Sequence, residues 1–404
     1  MKILVTGAKG FVGKNLCQSL KNIRDGKDRR DKFQRLRSLT LFEFDSHSSV
    51  DDLGAWAREA DFVFNLAGVN RPQNSEDFKG NYAFENTLLE CLEKANNNCP
   101  IMLSSSIQAS LTGRYADSEY GKSKLAAEQM LWEYSQRTDA KVYIYRFPNL
   151  YGKWCRPNYN SAIATFCNNI AKGLPITIND PSTTLQLLYI DDLVDCMLDL
   201  LVGNVRRCEY DGLEPISSEN GRFCYASPVD EATLGEIVEL LGSFKAARET
   251  LDVPFVGEGS FSKKLYSTYL TYVDANDFAY SLEKHEDERG SFTEIIRTAD
   301  RGQVSVNVSK PGITKGQHWH HSKWEKFCVV SGEALIQMRC VEPDDESSPI
   351  LEYRVNGNDP TVVETVPGYT HNIINLSDTH DLVTVIWANE SFDSGNPDTY
   401  YLEV

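Results

Sequence analysis

Short apolar runs alternate with helix-like stretches over the first 200 residues. Each run has the length of a strand and is rich in Val, Ile, Leu and Phe, and the segments between several of them, such as 10–20 and 86–95, look helical. Strands that alternate with helices predict right-handed βαβ units and a doubly wound parallel sheet, an α/β fold. The runs are KILVTG (2–7), SLTLFEF (38–44), DFVFNLAG (61–68), IMLSSS (101–106) and KVYIYRF (141–147).

The pattern changes after about residue 275, where short alternating strands separated by PG, SG, NG and GN turns dominate. Such a pattern is typical of an antiparallel sandwich or barrel. We therefore predict an α/β domain over 1–275 and an all-β domain over 276–404, with a last helix over 260–278 that leads into the second. The strand-like runs are SVNVSKPG (305–312), KFCVVSG (326–332), ALIQMRC (334–340), EYRVNGND (352–359), TVVETVPG (361–368) and DLVTVIWAN (381–389).

The 404 residues carry a net charge of −17 and ten cysteines. Two domains fit this length, because single hydrophobic cores stop growing near about 250–300 residues. The negative charge argues against nucleic acid as a partner, which needs a basic surface. No apolar run reaches the length of a membrane span, the first residues lack a secretory signal, and no two cysteines form a CxxC pair. We expect a cytoplasmic protein that binds neither nucleic acid nor membrane.

Three glycines, Gly7, Gly10 and Gly13, directly follow the first predicted strand and open the first predicted helix. Glycines in this position permit a tight turn, a close approach of the backbone to a pyrophosphate, and close packing of helix on strand. The first turn of such a helix, here with Phe11 and Val12, offers unpaired N–H groups to phosphates. The turn therefore predicts a dinucleotide site.

The G-x-x-G-x-x-G spacing resembles that of the extended short-chain dehydrogenases/reductases, nicotinamide-dependent enzymes of sugar nucleotides with a Rossmann-like fold. NLAG at 65–68 resembles their segment beneath the adenosine ribose, which implies that Ala67 contacts the cofactor. The choice of cofactor stays open on local chemistry. Asp45 ends the second strand and favours a free 2′-hydroxyl, as in NADH, whereas Lys9 is suited to the 2′-phosphate of NADPH.

Tyr120 and Lys124 stand four residues apart in YGKSK, within a segment that reads as a strong helix. This spacing puts both side chains on one face of the helix. We expect the ammonium of Lys124 to lower the pKa of the tyrosine, so that the phenol exchanges a proton near neutral pH. A reductase needs such a donor at the carbonyl oxygen.

Ser104, Ser105 and Ser106 close the fourth apolar run, at the sheet edge where open α/β sheets bind ligands. The resemblance places the carbonyl-binding hydroxyl on Ser106 and implies that Lys124 also contacts the cofactor. RFPNLYG at 146–152 resembles the R-x-x-N-x-Y-G segment of the same family. That likeness implies that Asn149 contacts the nucleotide sugar.

A metal centre is predicted in the second domain. The segment from Gly312 to Gly332 resembles the first motif of the cupins, metal-binding jelly-roll barrels. His318 and His320 are two apart and so share one face of a strand, whereas Glu325 joins them only if the chain bends within 321–324. His371 is the expected fourth ligand, from a later strand. Three imidazoles and one carboxylate suit Zn, Fe, Ni or Mn; we expect zinc, and a barrel that has lost its metal stays an alternative.

Over nearly its whole length the chain resembles the family of bifunctional capsular polysaccharide synthesis enzymes, which fuse a dehydrogenase domain to a cupin. The likeness implies a cupin that epimerises C3 of UDP-2-acetamido-2,6-dideoxy-4-hexulose. It implies a dehydrogenase domain that reduces C4 with NADPH to UDP-2-acetamido-2,6-dideoxy-L-talose, towards UDP-N-acetyl-L-fucosamine, and a homodimer. It rests on AGVNRP (67–72), SSSIQAS (104–110), YIYRFPNLYGKWCRPNYNS (143–161), KPGITKGQHWHH (310–321) and PGYTHNI (367–373).

Three alternatives stay open. The first is a monofunctional 4-keto reductase whose cupin only binds sugar or forms the dimer. The second is a non-catalytic cofactor sensor or scaffold, and the third is a bifunctional enzyme for another nucleotide sugar. The sequence also leaves the base that would act at C3 unassigned among Lys315, His321 and Tyr369.

Overall fold

The computed structural model describes residues 1–68, 79–254, 257, 259–341, 348–391, 393 and 398–404. The chain forms two compact units. The first comprises Met1–Leu241 with Lys264–Val273, and the second comprises Gly242–Lys263 with Asp274–Val404. Residues 242–263, which precede the predicted boundary at 275, belong to the second unit. Within it, the backbone of Arg297 exchanges hydrogen bonds of 2.8 Å with Leu251 and Val253.

The first unit follows the predicted alternation of strands and helices. Its elements, of which α7 ends and α8 begins in the second unit, are β1 (Lys2–Thr6), α1 (Phe11–Arg24), β2 (Thr40–Phe44), α2 (Val50–Glu59), β3 (Phe62–Asn65), α3 (Lys79–Lys94), β4 (Ile101–Ser106), α4 (Glu119–Thr138), β5 (Val142–Phe147), β6 (Asn149–Tyr151), α5 (Ala162–Ala171), β7 (Thr184–Tyr189), α6 (Ile190–Leu201), β8 (Arg207–Asp211), β9 (Glu214–Ser217), β10 (Phe223–Cys224), β11 (Asp230–Thr233), α7 (Leu234–Thr250) and α8 (Phe261–Leu270).

The main sheet of this unit has the strand order β2-β1-β3-β4-β5-β10-β8-β9. The pairs from β2 to β10 are parallel, which confirms the predicted doubly wound α/β sheet. The strands β3 and β4 are buried along their whole length, as strands covered on both faces by helices must be. The antiparallel hairpin of β8 and β9 extends the far edge, and β6, β7 and β11 form a second, smaller sheet.

The predicted helix over 260–278 is wrong in its second half, because α8 ends at Leu270. Beyond it, the hydroxyl of Tyr272 donates to the carbonyl of Cys155 at 2.6 Å, which holds the chain away from a helical path. The carboxylate of Asp274 then accepts from the N–H of Asn276 at 2.9 Å and starts a single 3-10 turn. Local side-chain bonds of this kind compete with helix.

The second unit contains the predicted antiparallel strands. They form a six-stranded sheet, β12-β13-β14-β21-β16-β19, and a five-stranded sheet, β18-β17-β20-β15-β22, which share one apolar core. This confirms the predicted all-β second part. The strands are β12 (Lys284–Asp287), β13 (Gly290–Thr298), β14 (Gly302–Ser309), β15 (Thr314–Trp319), β16 (Glu325–Ser331), β17 (Glu333–Cys340), β18 (Leu351–Asn356), β19 (Val362–Thr365), β20 (Tyr369–Asn375), β21 (Leu382–Ala388) and β22 (Tyr400–Tyr401).

Among the described residues, no helix is both long and apolar enough to cross a membrane. All ten cysteines are free thiols, as the sequence predicts for reduced cysteines.

One buried ion pair ties α4 to β5. The carboxylate of Glu128, which is 1% exposed, accepts two hydrogen bonds from the guanidinium of Arg146, at 2.9 and 2.7 Å. It also accepts from the hydroxyl of Ser105 at 2.5 Å. A bidentate pair of this kind is strong and directional, and it holds the helix that carries Tyr120 and Lys124 against the sheet.

Replacing Glu128 with Gln should destabilise the first unit, because it leaves the Arg146 charge buried without its counter-charge. We expect a loss of about 3–5 kcal/mol in the free energy of unfolding, measured by urea denaturation. The matched control is Glu93→Gln on α3, which removes the partner of Arg137 of α4 in an exposed ion pair of 2.6 Å. Equal midpoints for the two variants would contradict the prediction.

Candidate active site and metal centre

Backbone crowding explains the glycines of the first turn. Gly7 has φ +66°, and a Cβ there would lie 2.9 Å from the backbone of Leu66 and Ala67. A Cβ on Gly13 would lie 2.2 Å from the carbonyl oxygen of Gly7. Gly10 precedes α1, and no side chain of the described residues caps that helix. The turn therefore keeps the N–H groups of Phe11 and Val12 near a surface suited to phosphate.

A small hydrogen-bond network joins this turn to the end of β3. The hydroxyl of Thr6 donates to the amide oxygen of Asn65 at 2.6 Å and accepts from the N–H groups of Leu66 and Ala67 at 3.1 and 3.2 Å. The network fixes Ala67 beside Gly7, as expected of a cofactor segment. Residues 69–72 of the AGVNRP string lie outside the described residues.

The two residues that bear on cofactor choice pair with each other. The ammonium of Lys9 lies 2.8 Å from the carboxylate of Asp45, just after β2. This hydrogen bond, followed by one from the N–H of His47, holds the pKa of Asp45 below its ordinary value. The ammonium of Lys9 is thus directed at the carboxylate of Asp45, and the two residues lie together after the first and second strands.

Tyr120 lies in the first turn of α4, and Lys124 follows one turn later. The ammonium of Lys124 donates to the carbonyl of Ser104 at 2.9 Å and lies 5.9 Å from the centre of the Tyr120 ring. Lys124 is buried. The predicted i,i+4 pair is thus assembled against the end of β4.

Ser106 ends β4, and its Oγ accepts from the N–H of Gln108 at 3.2 Å. Gln108 also meets the start of α4, because its side-chain oxygen accepts from the hydroxyl of Ser118 at 2.7 Å. A Cβ on Gly121 would lie 2.3 Å from the carbonyl oxygen of Gln108, so only glycine permits this approach. Gln108 and Gly121 therefore bring the strand end with Ser106 beside the helix turn with Tyr120. The sequence analysis missed both, although Gly121 inside a helix pattern was a usable signal.

Burial is the largest influence on the pKa values of Tyr120 and Lys124. Burial raises the pKa of Tyr120, and the neighbouring Tyr159 raises it further. The direction is the opposite of that predicted from the sequence, since the ammonium of Lys124 is directed to the Ser104 carbonyl. Burial also lowers the pKa of Lys124 to about 8, against the charges of Glu85 and Glu128, which raise it.

Glu85 is a third residue that the sequence analysis missed. It lies on α3, is 2% exposed, and its Oε2 accepts from the amide of Asn65 at 2.5 Å. Burial raises its pKa to about 7, although the charge of Lys124 and the bond from Asn65 lower it. A glutamate in a helical pattern normally faces solvent, so the sequence carried no signal for this one.

Asn149 begins β6, and its amide donates to the backbone carbonyl of Gln186 at 3.0 Å. A cavity of about 270 Å³ opens nearby. Ile107 and Pro148, which follow Ser106 and precede Asn149 in the sequence, both line it. The cavity therefore contacts the chain neighbours of the two predicted substrate-contacting residues.

The structure brings together all four residues of the predicted metal centre. His318 on β15 pairs with His371 on β20, and Glu325 begins β16 after a turn. One potential ligand atom from each of these three residues and from His320 lies within 4.8 Å of the other three. The bend that the sequence requires between His320 and Glu325 is present.

The arrangement of the four residues fits a bound cation. The Nε2 atoms of His320 and His371 lie 3.6 and 3.4 Å from the Oε2 of Glu325. Both Nε2 atoms are buried and have no hydrogen-bond partner among the described residues. Such orphaned, converging acceptors are costly to bury unless something binds them.

Electrostatics keep the cluster in the form that binds metal. Burial, together with the neighbouring His371 and His320, lowers the pKa of His318 to about 4. Burial alone would raise the pKa of Glu325, but the proximity of the His320 and His371 rings and the charge of Lys323 hold it well below the ordinary value. A neutral imidazole and an ionised carboxylate are the ligand forms that metals require.

His321 faces away from this cluster. Its ring contacts Trp319 and Tyr400, with centres 4.5 and 4.9 Å away. The alternation of side chains along the strand predicts this orientation.

Two family models match the chain. The NAD dependent epimerase/dehydratase family matches residues 3–206, and the polysaccharide biosynthesis C-terminal domain matches residues 285–400. The first match contains the glycine turn and the Ser106, Tyr120 and Lys124 set. The second contains the four converging residues of the metal centre.

The chain is also similar over its full length to two known proteins. UDP-2-acetamido-2,6-beta-L-arabino-hexul-4-ose reductase of Pseudomonas aeruginosa is 41% identical, over 100% of this chain and 99% of its own. The crystal structure of the capsular polysaccharide assembling protein CapF of Staphylococcus aureus is 45% identical, with a TM-score of 0.83 over 100% of both chains. UDP-glucose 4-epimerase of Thermus thermophilus, crystallised with NAD, is 17% identical with a TM-score of 0.51 over 67% of this chain and 99% of its own, a likeness of fold alone. The chain therefore belongs to the NAD dependent epimerase/dehydratase family.

Proposed function

We propose that the chain is a bifunctional nucleotide-sugar enzyme. The cupin epimerises C3 of UDP-2-acetamido-2,6-dideoxy-4-hexulose, and the dehydrogenase domain then reduces C4 with NADPH to UDP-2-acetamido-2,6-dideoxy-L-talose. The reductase half is supported by the full-length relative named for the reduction of such a hexulose. The observation that carries the epimerase half is the buried convergence of His318, His320, Glu325 and His371. The homodimer remains a prediction from the family resemblance, and the cytoplasmic location remains a prediction from the sequence.

In the reduction, bound NADPH would supply the hydride that reaches C4. Tyr120 donates the proton that the C4 oxygen takes up, and Ser106 donates a hydrogen bond to the same oxygen. The raised pKa of Tyr120 keeps the phenol protonated before the reaction. The Lys124 ammonium, on the same helix face, supports the negative charge left on the phenolate.

In the epimerisation, the C4 ketone acidifies the proton on C3. A divalent cation, for which zinc is our choice, would be held by the three histidines and Glu325 and would stabilise negative charge on the keto oxygen. A base removes the C3 proton, and a proton returns on the other face. Reduction at C4 then removes the ketone, so the new configuration at C3 no longer reverts by this route.

The alternative is a monofunctional 4-keto reductase whose cupin binds sugar or forms the dimer. The buried Nε2 atoms of His320 and His371 favour the bifunctional enzyme, because a merely structural barrel gains nothing from three imidazoles aimed at one point.

The two activities should separate by mutation when the UDP-linked hexulose and NADPH react in deuterated water and the product is examined by NMR. The wild type should give deuterium and inverted configuration at C3 and an alcohol at C4. Tyr120→Phe should slow the reduction by about 10²–10⁴-fold and leave exchange at C3, since it removes only the acid. His318→Ala should abolish the exchange, whereas His285→Ala, at an exposed histidine, should leave it intact. Retained hydrogen and configuration at C3 in the wild type would establish the monofunctional alternative.

The rate of reduction should fall at alkaline pH, with an inflection near the Lys124 pKa of about 8, because the ammonium is lost above it. Glu85→Gln should move this limb to lower pH by on the order of one unit, since the Glu85 charge raises the Lys124 pKa. Glu128 also faces Lys124 and stays in place, paired with Arg146.

The measurement is kcat/KM for the keto-sugar between pH 6 and pH 10. Glu119→Gln is the matched control, because Glu119 lies exposed on the same helix and pairs with Lys122. An alkaline limb that is the same in Glu85→Gln and in the wild type would refute the link between Glu85 and Lys124.

Lys9 should set the preference for NADPH. Lys9→Ala should raise KM for NADPH about tenfold, the loss of one hydrogen bond to a charged group, with little change for NADH. Lys14→Ala, in α1 just after the turn and with an exposed side chain, is the control. Initial rates measured with NADPH and with NADH give the comparison. An equal rise in KM for both cofactors would contradict a contact between Lys9 and the 2′-phosphate.

A further inference from the structure

Residues 398–404 form an edge of the sheet that carries two of the converging histidines. The strand β22 pairs with β15, and Tyr401 stands opposite His318. The N–H of Leu402 donates to the carbonyl of Gln317 at 3.0 Å, and the N–H of Val404 donates to the side chain of Gln317 at 2.9 Å. This segment therefore borders the strand that presents His318.

One carboxylate in this segment closes the turn between His320 and Glu325. Oδ1 of Asp398 accepts from the N–H of His321 at 2.8 Å. Oδ2 accepts from the N–H groups of Ser322 and Lys323 at 2.7 and 2.9 Å, and from the hydroxyl of Ser322 at 3.0 Å. Three consecutive backbone donors thus converge on a single anion, a geometry that fixes the path of a turn.

The same residue also orients a ring of the cluster. The backbone carbonyl of Asp398 lies in hydrogen-bond contact with Nδ1 of His320. A carbonyl only accepts, so Nδ1 carries the proton and the buried Nε2 keeps its lone pair for a ligand. Contacts of this kind commonly select the tautomer of metal-binding histidines.

We propose that Asp398 is a positioning residue of the metal centre, which sets the approach of Glu325 through the 321–323 turn and the tautomer of His320 through its carbonyl. The turn sequence HSKW contains neither Gly nor Pro, so local propensity does not bend it. The bend comes from an anion contributed by the distant segment. The inference rests on the proposed metal-binding function of the cluster.

The test compares metal affinity in chelator-stripped, full-length variants by competition with a chromophoric chelator, using Zn²⁺ alone, and records the visible spectrum with Co²⁺ alone. Asp398→Asn replaces one accepting oxygen with an NH₂ group that faces N–H donors, so we expect affinity for Zn²⁺ to fall about 10–100-fold. The Co²⁺ spectrum should also change, since the ligand geometry loosens. Asp381→Asn, at an exposed acidic residue of the same unit, should match the wild type in both.

A second variant covers the case in which Asp398→Asn does not fold. Ser322→Ala removes one of the contacts to Asp398 and keeps the others, and it should weaken Zn²⁺ severalfold. Two results would overturn the proposal. One is a folded Asp398→Asn variant with the Zn²⁺ affinity and Co²⁺ spectrum of the wild type. The other, if Asp398→Asn is unfolded, is an unchanged Zn²⁺ affinity in Ser322→Ala. Failure of the metal centre itself looks different, because the wild type and His318→Ala would then bind Zn²⁺ and Co²⁺ equally poorly.

Discussion

A line of buried polar groups beneath the carboxyl edge of the parallel sheet is the constraint on which the first unit depends. It runs from Thr6 through Asn65 to Glu85 by hydrogen bonds, and the charge of Glu85 then acts on Lys124. Each group is buried, so each needs its neighbour to offset the cost of leaving water. The strand ends at the glycine turn and at the reductase centre are therefore coupled: a change in one alters the charge balance at the other.

The sequence predicts the parts of this fold that depend on local pattern. The first five strands and six of the eleven described antiparallel strands after 275 follow from apolar runs, and Gly7 and Gly13 follow from their place between strand and helix. It misses what depends on contacts between distant segments. Gln108 meets α4 only when the chain has folded, and the Tyr120 pKa depends on burial that no spacing reveals.

In the second unit too, the sequence predicts what depends on local pattern and misses what depends on distant contacts. The spacing of His318, His320 and Glu325 identifies three of the converging residues, and a later strand supplies His371. The bend that lets Glu325 join them was required by the strand geometry but not explained by it. Its cause is the carboxylate of Asp398, 75 residues beyond Lys323. The HSKW segment itself does not indicate that contact.

The close backbone contacts at Gly7, Gly13 and Gly121 distinguish positions that cannot accept a larger residue from positions that can. At each, the space for a first side-chain atom is already taken by backbone, largely a carbonyl group, and no neighbour can move aside as a side chain would. By contrast, side chains such as Tyr225 and Val229 form much of the cavity wall in the first unit. Substitutions in the cavity wall should therefore be accommodated more readily than substitutions at these three glycines.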